Sequence, residues 1–257
     1  MTTPVDNAKS SAWDHVGGMF WSQGRTSARP SPAELEQFLT GVPAGQRCTV
    51  VGASTKDLVE AARDHGALVT VLDFSRRMCE DLGAAVPDVE VRQVDITRPL
   101  PVDLRATQDW VFADRLVNRF APEEVAAGVA GILGLLSPGG TVRTSVKIGR
   151  YPMDDEMIAV GERHGTVREF WDEETDTIDF STAGAVLEEA LLPHGEIDRA
   201  LLLSWYRGRG REKRYSEDDV RVLLSGVSGL PADDVHVAAL QDAPGSLMFT
   251  LVTPDAG

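Results

Sequence analysis

The sequence predicts an α/β fold built on a mostly parallel sheet. Between residues 45 and 149, short apolar runs alternate with amphipathic helical segments, which is typical of βαβ units. Near the end of the chain, two apolar runs are separated by QDAPG, which indicates an antiparallel hairpin. A chain of 257 residues is long enough for one such domain with an insertion.

The first helix of this fold is predicted just before the alternation begins. Ser31 is a suitable N-cap, Pro32 fits the first turn, and Glu34 completes a capping box. Gly41 follows the helix and ends it.

Five buried strands and three helices should then alternate, because each apolar run is short and is followed by a helical pattern. The predicted strands are CTVVG (48–52), ALVTVLD (67–73), VEVRQVD (89–95), DWVFAD (109–114) and TVRTSVKIG (141–149). The predicted helices cover 55–65, 74–85 and 122–136, with SPGG as a turn before the fifth strand. A capped helix at 216–229 precedes the final hairpin.

These elements divide the chain into four parts. We expect an N-terminal cap or arm at 1–44, a core at 45–149, an insertion at 150–215, and a C-terminal helix and β-hairpin at 216–257 that complete the core. The insertion has helical pieces, aromatic residues and many charges, but its pattern shows no clear strand.

Charge and composition exclude several classes of partner. A net charge of −15 disfavours nucleic acid and anionic membrane surfaces, which both require a basic footprint. The chain has no run of about 18 apolar residues and no apolar signal segment, so we expect a cytoplasmic protein. Cys48 and Cys79 are expected as reduced, buried thiols, and no Cys/His spacing suits a metal. A small-molecule substrate is the expected partner, with the oligomeric state (monomer or homodimer) left open.

The ordered motifs resemble the class I S-adenosylmethionine (SAM)-dependent methyltransferases. The resemblance rests on VVGASTK (50–56) after the first strand, Asp73 and Asp95 ending the next two, ADRLVNRF (113–120) after the fourth, and the terminal hairpin. It implies a Rossmann-like, seven-stranded, mostly parallel sheet with an antiparallel last strand, a helical lid inserted at 150–215, and SAM bound at the carboxyl ends of the strands.

The resemblance also implies a set of cofactor-binding residues. Asp73 is expected to accept the ribose hydroxyls, although a strand-end acid before a helix is the plainer interpretation. Asp95 is expected at the adenine amino group, or else as an ordinary turn residue. The other expected contacts are Gly52, Ala53 and Ser54 in the loop, Phe74 and Ile96 beside the adenine ring, and Met78 and Asp114.

The N-terminal segment 13–30 is aromatic and glycine-rich, as in family members where it folds over the cofactor. Trp21 is expected to cover the sulfonium, because an aromatic face attracts a cation. Arg25 is expected to pair with the SAM carboxylate. A loosely ordered arm is the competing interpretation.

Candidate catalytic and substrate residues follow the fourth and fifth strands. Asn118 is expected to fix an amine lone pair or an acceptor hydroxyl, and Tyr151 to lie at the mouth of the pocket. Arg115, Tyr206 and Arg207 are the candidate substrate contacts. The basic run RGRGREKR (207–214) either binds a substrate anion or is a solvated loop paired with nearby acids, and the solvated loop is favoured.

The loop departs from the family pattern in one important place. The family usually has an acid where this chain has Val50, and Ser54 and Lys56 replace two glycines. Losing that acid lowers the pKa of the SAM ammonium, and a neutral amine can attack the γ-carbon of SAM. Degenerate loops also occur in true methyltransferases, so the function that the resemblance implies is still methyl transfer from SAM to a small metabolite. The alternatives are a non-methylating cyclase that forms azetidine-2-carboxylate and methylthioadenosine, and a non-catalytic SAM-binding scaffold.

Overall fold

The computed structural model describes residues 8–23, 29–193 and 195–255. Its helices are α1 (Ala8–Val16), α2 (Met19–Gln23), α3 (Pro32–Leu39), α4 (Lys56–Asp64), α5 (Arg76–Ala85), α6 (Val125–Gly134), α7 (Pro152–His164), α8 (Gly184–Ala190), α9 (Arg199–Arg209) and α10 (Glu217–Ser228). Its strands are β1 (Arg47–Val51), β2 (Leu68–Asp73), β3 (Glu90–Gln93), β4 (Gln108–Asp114), β5 (Leu136–Lys147), β6 (Trp171–Asp172), β7 (Thr177–Asp179), β8 (Arg211–Lys213), β9 (His236–Ala239) and β10 (Ser246–Val252).

The central sheet of the described residues has seven strands in the order β3-β2-β1-β4-β5-β10-β9. Strand β10 runs antiparallel to β5 and β9, and the other pairs are parallel. Strand β1 lies in the middle, where Cys48, Val50 and Val51 are buried between two apolar clusters. The predicted fold class is confirmed.

The start of α3 is built as the sequence predicts. Ser31 Oγ accepts the Glu34 N–H at 3.2 Å, and Glu34 Oε2 accepts the Ser31 N–H at 2.8 Å. Both bonds satisfy backbone donors that the first helical turn leaves without partners. They also fix the carboxylate of Glu34, which matters for the site described below.

Strand β5 begins earlier than predicted. SPGG is part of the strand rather than a turn before it, since Leu136 already pairs with Gln108 of β4. A register shift between Gln108 and Trp110 absorbs the extra residues, as a bulge does. The same early pairing ends α6 at Gly134, two residues before the predicted end at 136.

The prediction that the insertion contains no strand is wrong. Strands β6, β7 and β8 form a small antiparallel sheet, and β8 lies within the basic run 207–214. Each of these strands has only two or three residues, which is too short for an alternating pattern to stand out in the sequence. The rest of the insertion is mainly helical, in α7, α8 and α9.

The N-terminal helices connect the core to the insertion. The ring of Trp13 on α1 packs edge-on against Trp205 of α9, with centroids 5.6 Å apart. Asp14 Oδ1 accepts the Ser75 hydroxyl at 2.6 Å, where α5 begins in the core. Among the described helices, none has both the length and the apolar character needed to cross a membrane.

Candidate functional site

A cavity of about 70 Å³ opens at the carboxyl ends of β1, β2 and β3. Gly52, Asp73, Phe74, Asp95 and Ile96 line it, and all five are predicted cofactor contacts. In an open parallel sheet, this edge is where nucleotide ligands bind. The structure therefore brings these predicted residues together around one opening.

The loop after β1 depends on Gly52 and Asp73. Gly52 has a φ of 107°, which a side chain would strain, so glycine lets the chain turn beside the cavity. Asp73 Oδ2 accepts the Ala53 N–H at 2.7 Å, and its Oδ1 accepts the Ser75 N–H at 2.7 Å. A carboxylate has about four lone-pair positions, so two remain for ribose hydroxyls.

The environment of Asp73 perturbs its ionisation. Burial raises the pKa of this carboxyl to about 6, although the N–H groups of Ser75 and Ala53 act in the opposite direction. The nearby carboxylate of Asp14 adds to the rise. A strongly perturbed acid in a cleft is typical of a functional site.

Asp95 and Ile96 form the far wall of this cavity. Asp95 Oδ1 accepts the backbone N–H of Thr97 at 3.0 Å and its hydroxyl at 2.7 Å, so Asp95 also acts as a turn residue. Helix α6 approaches this wall closely: a Cβ on Gly131 would lie 2.0 Å from the Ile96 carbonyl oxygen. Glycine is therefore required at 131, because any side chain there would displace this wall of the cavity.

A second cavity, of about 780 Å³, lies between the core and the insertion. Arg119 lines both cavities, so the two adjoin at its side chain. The aromatic part of the large cavity consists of Phe20, Tyr151, Phe180, Trp205 and Tyr206. Pockets of this volume, lined by rings and a few charges, are typical of small-molecule sites.

One side of the large cavity carries a net negative ion group. Arg115 Nη2 lies 2.5 Å from Glu34 Oε1, and Arg115 Nη1 lies 3.3 Å from Asp114 Oδ1. Both carboxylates are almost fully buried, with 2% and 3% of their side chains exposed. The backbone of Arg115 is left-handed (φ 51°), a strained conformation that clusters at functional sites.

A second ion group along the lining is net positive and is here called the arginine cluster: Arg119, Arg209, Arg214, Glu212 and Asp154. Arg214 contacts Asp154 Oδ2 at 2.6 Å and Glu212 Oε2 at 3.0 Å. Arg209 Nε donates to Glu212 Oε1 at 2.8 Å, and Arg119 Nη1 lies 3.4 Å from Glu212 Oε2. Three cations thus share two buried carboxylates.

Glu212 stays ionised within the arginine cluster. Burial alone would raise the pKa of the Glu212 carboxyl, but the surrounding guanidinium groups outweigh burial and hold that pKa well below its usual range. The favoured interpretation of 207–214 as a solvated loop is therefore wrong for Arg209 and Arg214, which are 7% and 2% exposed. Arg207 does lie at the surface, paired with Glu188.

Tyr151 lines the large cavity beside the arginine cluster. The guanidinium carbon of Arg214 lies 4.6 Å from its ring centroid. Its hydroxyl is buried, and among the described residues it has no hydrogen-bond partner. Burial raises the pKa of this phenol, so it stays a proton donor at neutral pH. Tyr206 lines the same cavity, with its ring 4.8 Å from the Arg209 guanidinium.

Several predicted site residues lie elsewhere. Asn118 is fully buried, and its amide donates to the Lys147 carbonyl and accepts the Lys147 N–H, both at 2.9 Å. It therefore joins the loop after β4 to β5 and is not available to a reacting group. Met78 is buried in the core rather than in either cavity lining. Arg25 lies outside the described residues.

The N-terminal aromatic residues are arranged differently from the prediction. In the described lining, Trp13 faces the small cavity and Phe20 the large one, whereas Trp21 packs against the core. Ala53 and Ser54 follow Gly52 in the loop, and Ala53 contributes its backbone N–H rather than its side chain. The sequence of segment 13–30 could not show which of its aromatic residues faces a cavity, because its apolar residues have no clear periodicity.

Val50 occupies the core face of β1, where it is fully buried, while its neighbour Val51 borders the small cavity. Glu34 lines the large cavity, whereas the predicted contact Asp114 lines neither cavity and is linked to the large one only through its pair with Arg115. The sequence pattern missed Glu34 as a site residue because its capping role already explained it.

Comparisons with known proteins agree with this fold. A Rhodobacter sphaeroides protein of known structure, provisionally described as a zinc-dependent alcohol dehydrogenase, is 42% identical over 97% of this chain and 100% of that one, with a TM-score of 0.90. The CcbJ methyltransferase from Streptomyces caelestis is 14% identical, with a TM-score of 0.57 over 96% and 99% of the two chains. A Burkholderia thailandensis N1-methyltransferase bound to S-adenosylhomocysteine is 16% identical, with a TM-score of 0.53 over 99% and 92%.

No protein-family model matches the chain, and no curated protein matches it significantly.

The residues present do not fit the zinc site that the first of these descriptions implies. A catalytic zinc of the alcohol dehydrogenase type takes two cysteines and a histidine. Here Cys48 is buried within β1 and Cys79 lies on α5. Among the described residues, no group of three or more His, Cys, Asp or Glu side chains is placed to hold a metal ion.

Sheet order, the cavity at the carboxyl ends of β1 to β3, and the methyltransferases of the same fold all lead to one conclusion. The chain has the fold of the class I S-adenosylmethionine-dependent methyltransferases.

Proposed function

We propose that this enzyme transfers the methyl group of SAM to a small-molecule metabolite held in the large cavity. The observation that carries the proposal is that this cavity adjoins the cofactor cavity at Arg119. A volume of about 780 Å³ suits a metabolite in the presence of the amino-acid end of SAM.

The proposed reaction needs orientation more than covalent chemistry. The acceptor atom attacks the methyl carbon in line with the departing sulfur, so catalysis depends on how the two molecules are held. Asp73 would fix the ribose, and the buried Glu34–Arg115–Asp114 group would face the ammonium of SAM with net negative charge. The aromatic wall would exclude water.

We propose a soluble, cytoplasmic acceptor rather than a nucleic acid or a membrane component. The net charge of −15 supports this, because phosphate backbones and anionic lipids would be repelled over most of the surface.

The decisive experiment is mass spectrometry of purified protein incubated first with SAM alone and then with SAM plus a metabolite extract. S-adenosylhomocysteine that appears only with extract supports methyl transfer. Methylthioadenosine from SAM alone would instead establish the cyclase. Binding of SAM with neither product, in either incubation, would point to the scaffold.

The cyclase alternative depends on an ammonium with little anionic support. The absence of an acid at Val50 favours it, but the buried carboxylates of Glu34 and Asp114 oppose it. An ammonium near net negative charge has a raised pKa and stays protonated. Methyl transfer is therefore the stronger proposal.

A further inference from the structure

The large cavity separates its charges. The group of Glu34, Arg115 and Asp114 has one cation for two carboxylates, and the arginine cluster has three cations for two carboxylates. The first group joins the first turn of α3 to the end of β4, and the second joins the insertion to the loop after β4. A ligand in the cavity therefore meets net negative charge on one side and net positive charge on the other.

Lys147 adds to the positive side. It ends β5 and lines the large cavity, and its ammonium donates a hydrogen bond to the Pro244 carbonyl at 3.3 Å. Burial lowers the pKa of this ammonium and the like charge of Arg115 lowers it further, while the carboxylates of Asp154 and Asp155 act in the opposite direction. An anion placed beside Lys147 would relieve that repulsion.

Tyr151 supplies the second, independent observation. Its buried hydroxyl has no partner among the described residues, and such a group costs free energy unless a ligand completes it. A protonated phenol flanked by guanidinium groups is a hydrogen-bond donor in a positive environment. An anionic oxygen is the complementary partner.

We propose that the acceptor of this enzyme is a small organic anion, with a carboxylate or phosphate bound by Tyr151, Lys147 and Arg119 and an apolar, flat body against the aromatic wall. This inference rests on the proposed function, because it takes the bound anion to be the methyl acceptor. The anion site itself can be measured without SAM, so the two can fail separately.

Binding is tested by isothermal titration of the full chain with benzoate, indole-3-carboxylate and phenyl phosphate, each against its uncharged analogue (benzamide, indole-3-carboxamide and phenol). We expect at least one anion to bind about tenfold tighter than its uncharged analogue, because hydrogen bonds to charged groups are the strong ones. The relative strength of carboxylate and phosphate binding tells the two anion chemistries apart. Equal binding of every anion and its analogue, or none at all, would overturn the proposal.

Two variants test the residues. Tyr151→Phe and Lys147→Met should each weaken the anion about tenfold and leave the uncharged analogue unchanged. Tyr215→Phe and Lys213→Met are matched controls: the Tyr215 hydroxyl is also buried without a partner among the described residues, Lys213 pairs with Asp219, and neither lines the cavity. Both controls should change affinity by less than about twofold.

The main competitor for the site is the carboxylate of SAM itself. Titrating SAM and methylthioadenosine, which lacks that carboxylate, into the same variants separates the two. If Lys147→Met and Tyr151→Phe weaken SAM but leave both methylthioadenosine and the anion probes unchanged, the positive side holds the cofactor and the proposal is wrong. Anion binding that is retained in a protein without SAM affinity would overturn methyl transfer and support the anion site.

Discussion

The carboxylate of Asp73 and the backbone of Ala53 are joined by a hydrogen bond of 2.7 Å, so the acid that ends β2 also holds the loop after β1. The other oxygen of Asp73 accepts the Ser75 N–H that begins α5. One side chain thus fixes the loop and the helix start around the cofactor cavity. This contact organises the loop although Val50 replaces the family's acid.

Replacing Asp73 with alanine should weaken SAM about a hundredfold, because two charge-assisted hydrogen bonds to the ribose and the hold on the loop are lost together. Isothermal titration with SAM measures this. Asp109→Ala is the matched control, since Asp109 pairs with Arg47 at the start of β4, far from the cavity. Undiminished SAM affinity in Asp73→Ala would show that the ribose lies elsewhere.

The raised pKa of Asp73 predicts two opposite pH effects. Because the folded-state pKa is about 6 and the ordinary value is 3.8, the folded protein binds more protons in that window, and this group's contribution to the free energy of unfolding falls as the pH rises through it. Ribose binding prefers the ionised carboxylate, so nucleoside affinity should rise as the pH rises through about 6.

Methylthioadenosine is the right probe for this effect, because it has no amine or carboxylate to titrate. Its affinity for the wild type should increase between about pH 5 and about pH 8. Asp73→Asn should give a flat profile over the same range. A wild-type profile as flat as that of the variant would contradict the assignment.

Gly52→Ala should lower the free energy of unfolding by about 1–3 kcal/mol, because φ at this residue is 107° and a side chain is strained there. Chemical denaturation measures the loss, and SAM affinity should fall with it. Gly83→Ala is the control within α5: a Cβ there meets nothing within 4 Å, so it should stabilise the helix by about 0.5–1 kcal/mol.

Glu212→Gln should destabilise the protein by about 3–5 kcal/mol, since it leaves three guanidinium groups, two of them buried, with a single carboxylate. Glu217→Gln breaks a half-exposed pair with Arg221 and should cost no more than about 0.5 kcal/mol. Denaturant titrations of both variants make the comparison. Equal losses would mean that the cluster contributes no more than a surface pair.

The lining of the small cavity was largely predictable from the sequence, whereas the arginine cluster beside the large cavity was not. Asp73 and Asp95 follow buried strands, and the topology of a parallel sheet brings strand ends together whatever the intervening sequence. Arg214 and Asp154 are 60 residues apart and meet only because the insertion folds back on itself. Local sequence periodicity cannot reveal an ion pair between distant residues, so the basic run was interpreted as a solvated loop.

The short strands of the insertion and the early start of β5 were missed for a related reason. Both depend on which backbone N–H and C=O groups pair between strands, and not on a pattern of apolar side chains. Asn118 was misassigned because an amide after β4 suits a reacting group as well as it suits a clamp on Lys147. Burial, which the sequence does not state, decides between them.

Helix α1 contacts both the core and the insertion, and these contacts should affect the rate of turnover. Trp13 borders the cofactor cavity, and its helix is fastened both to α5 through Asp14 and to α9 through Trp205. We therefore expect spent cofactor to leave when this helix detaches, and turnover to be limited by that opening rather than by methyl transfer. Limited proteolysis would detect the event: cleavage of the N-terminal helices should slow as SAM is added, and an unchanged cleavage rate would rule it out.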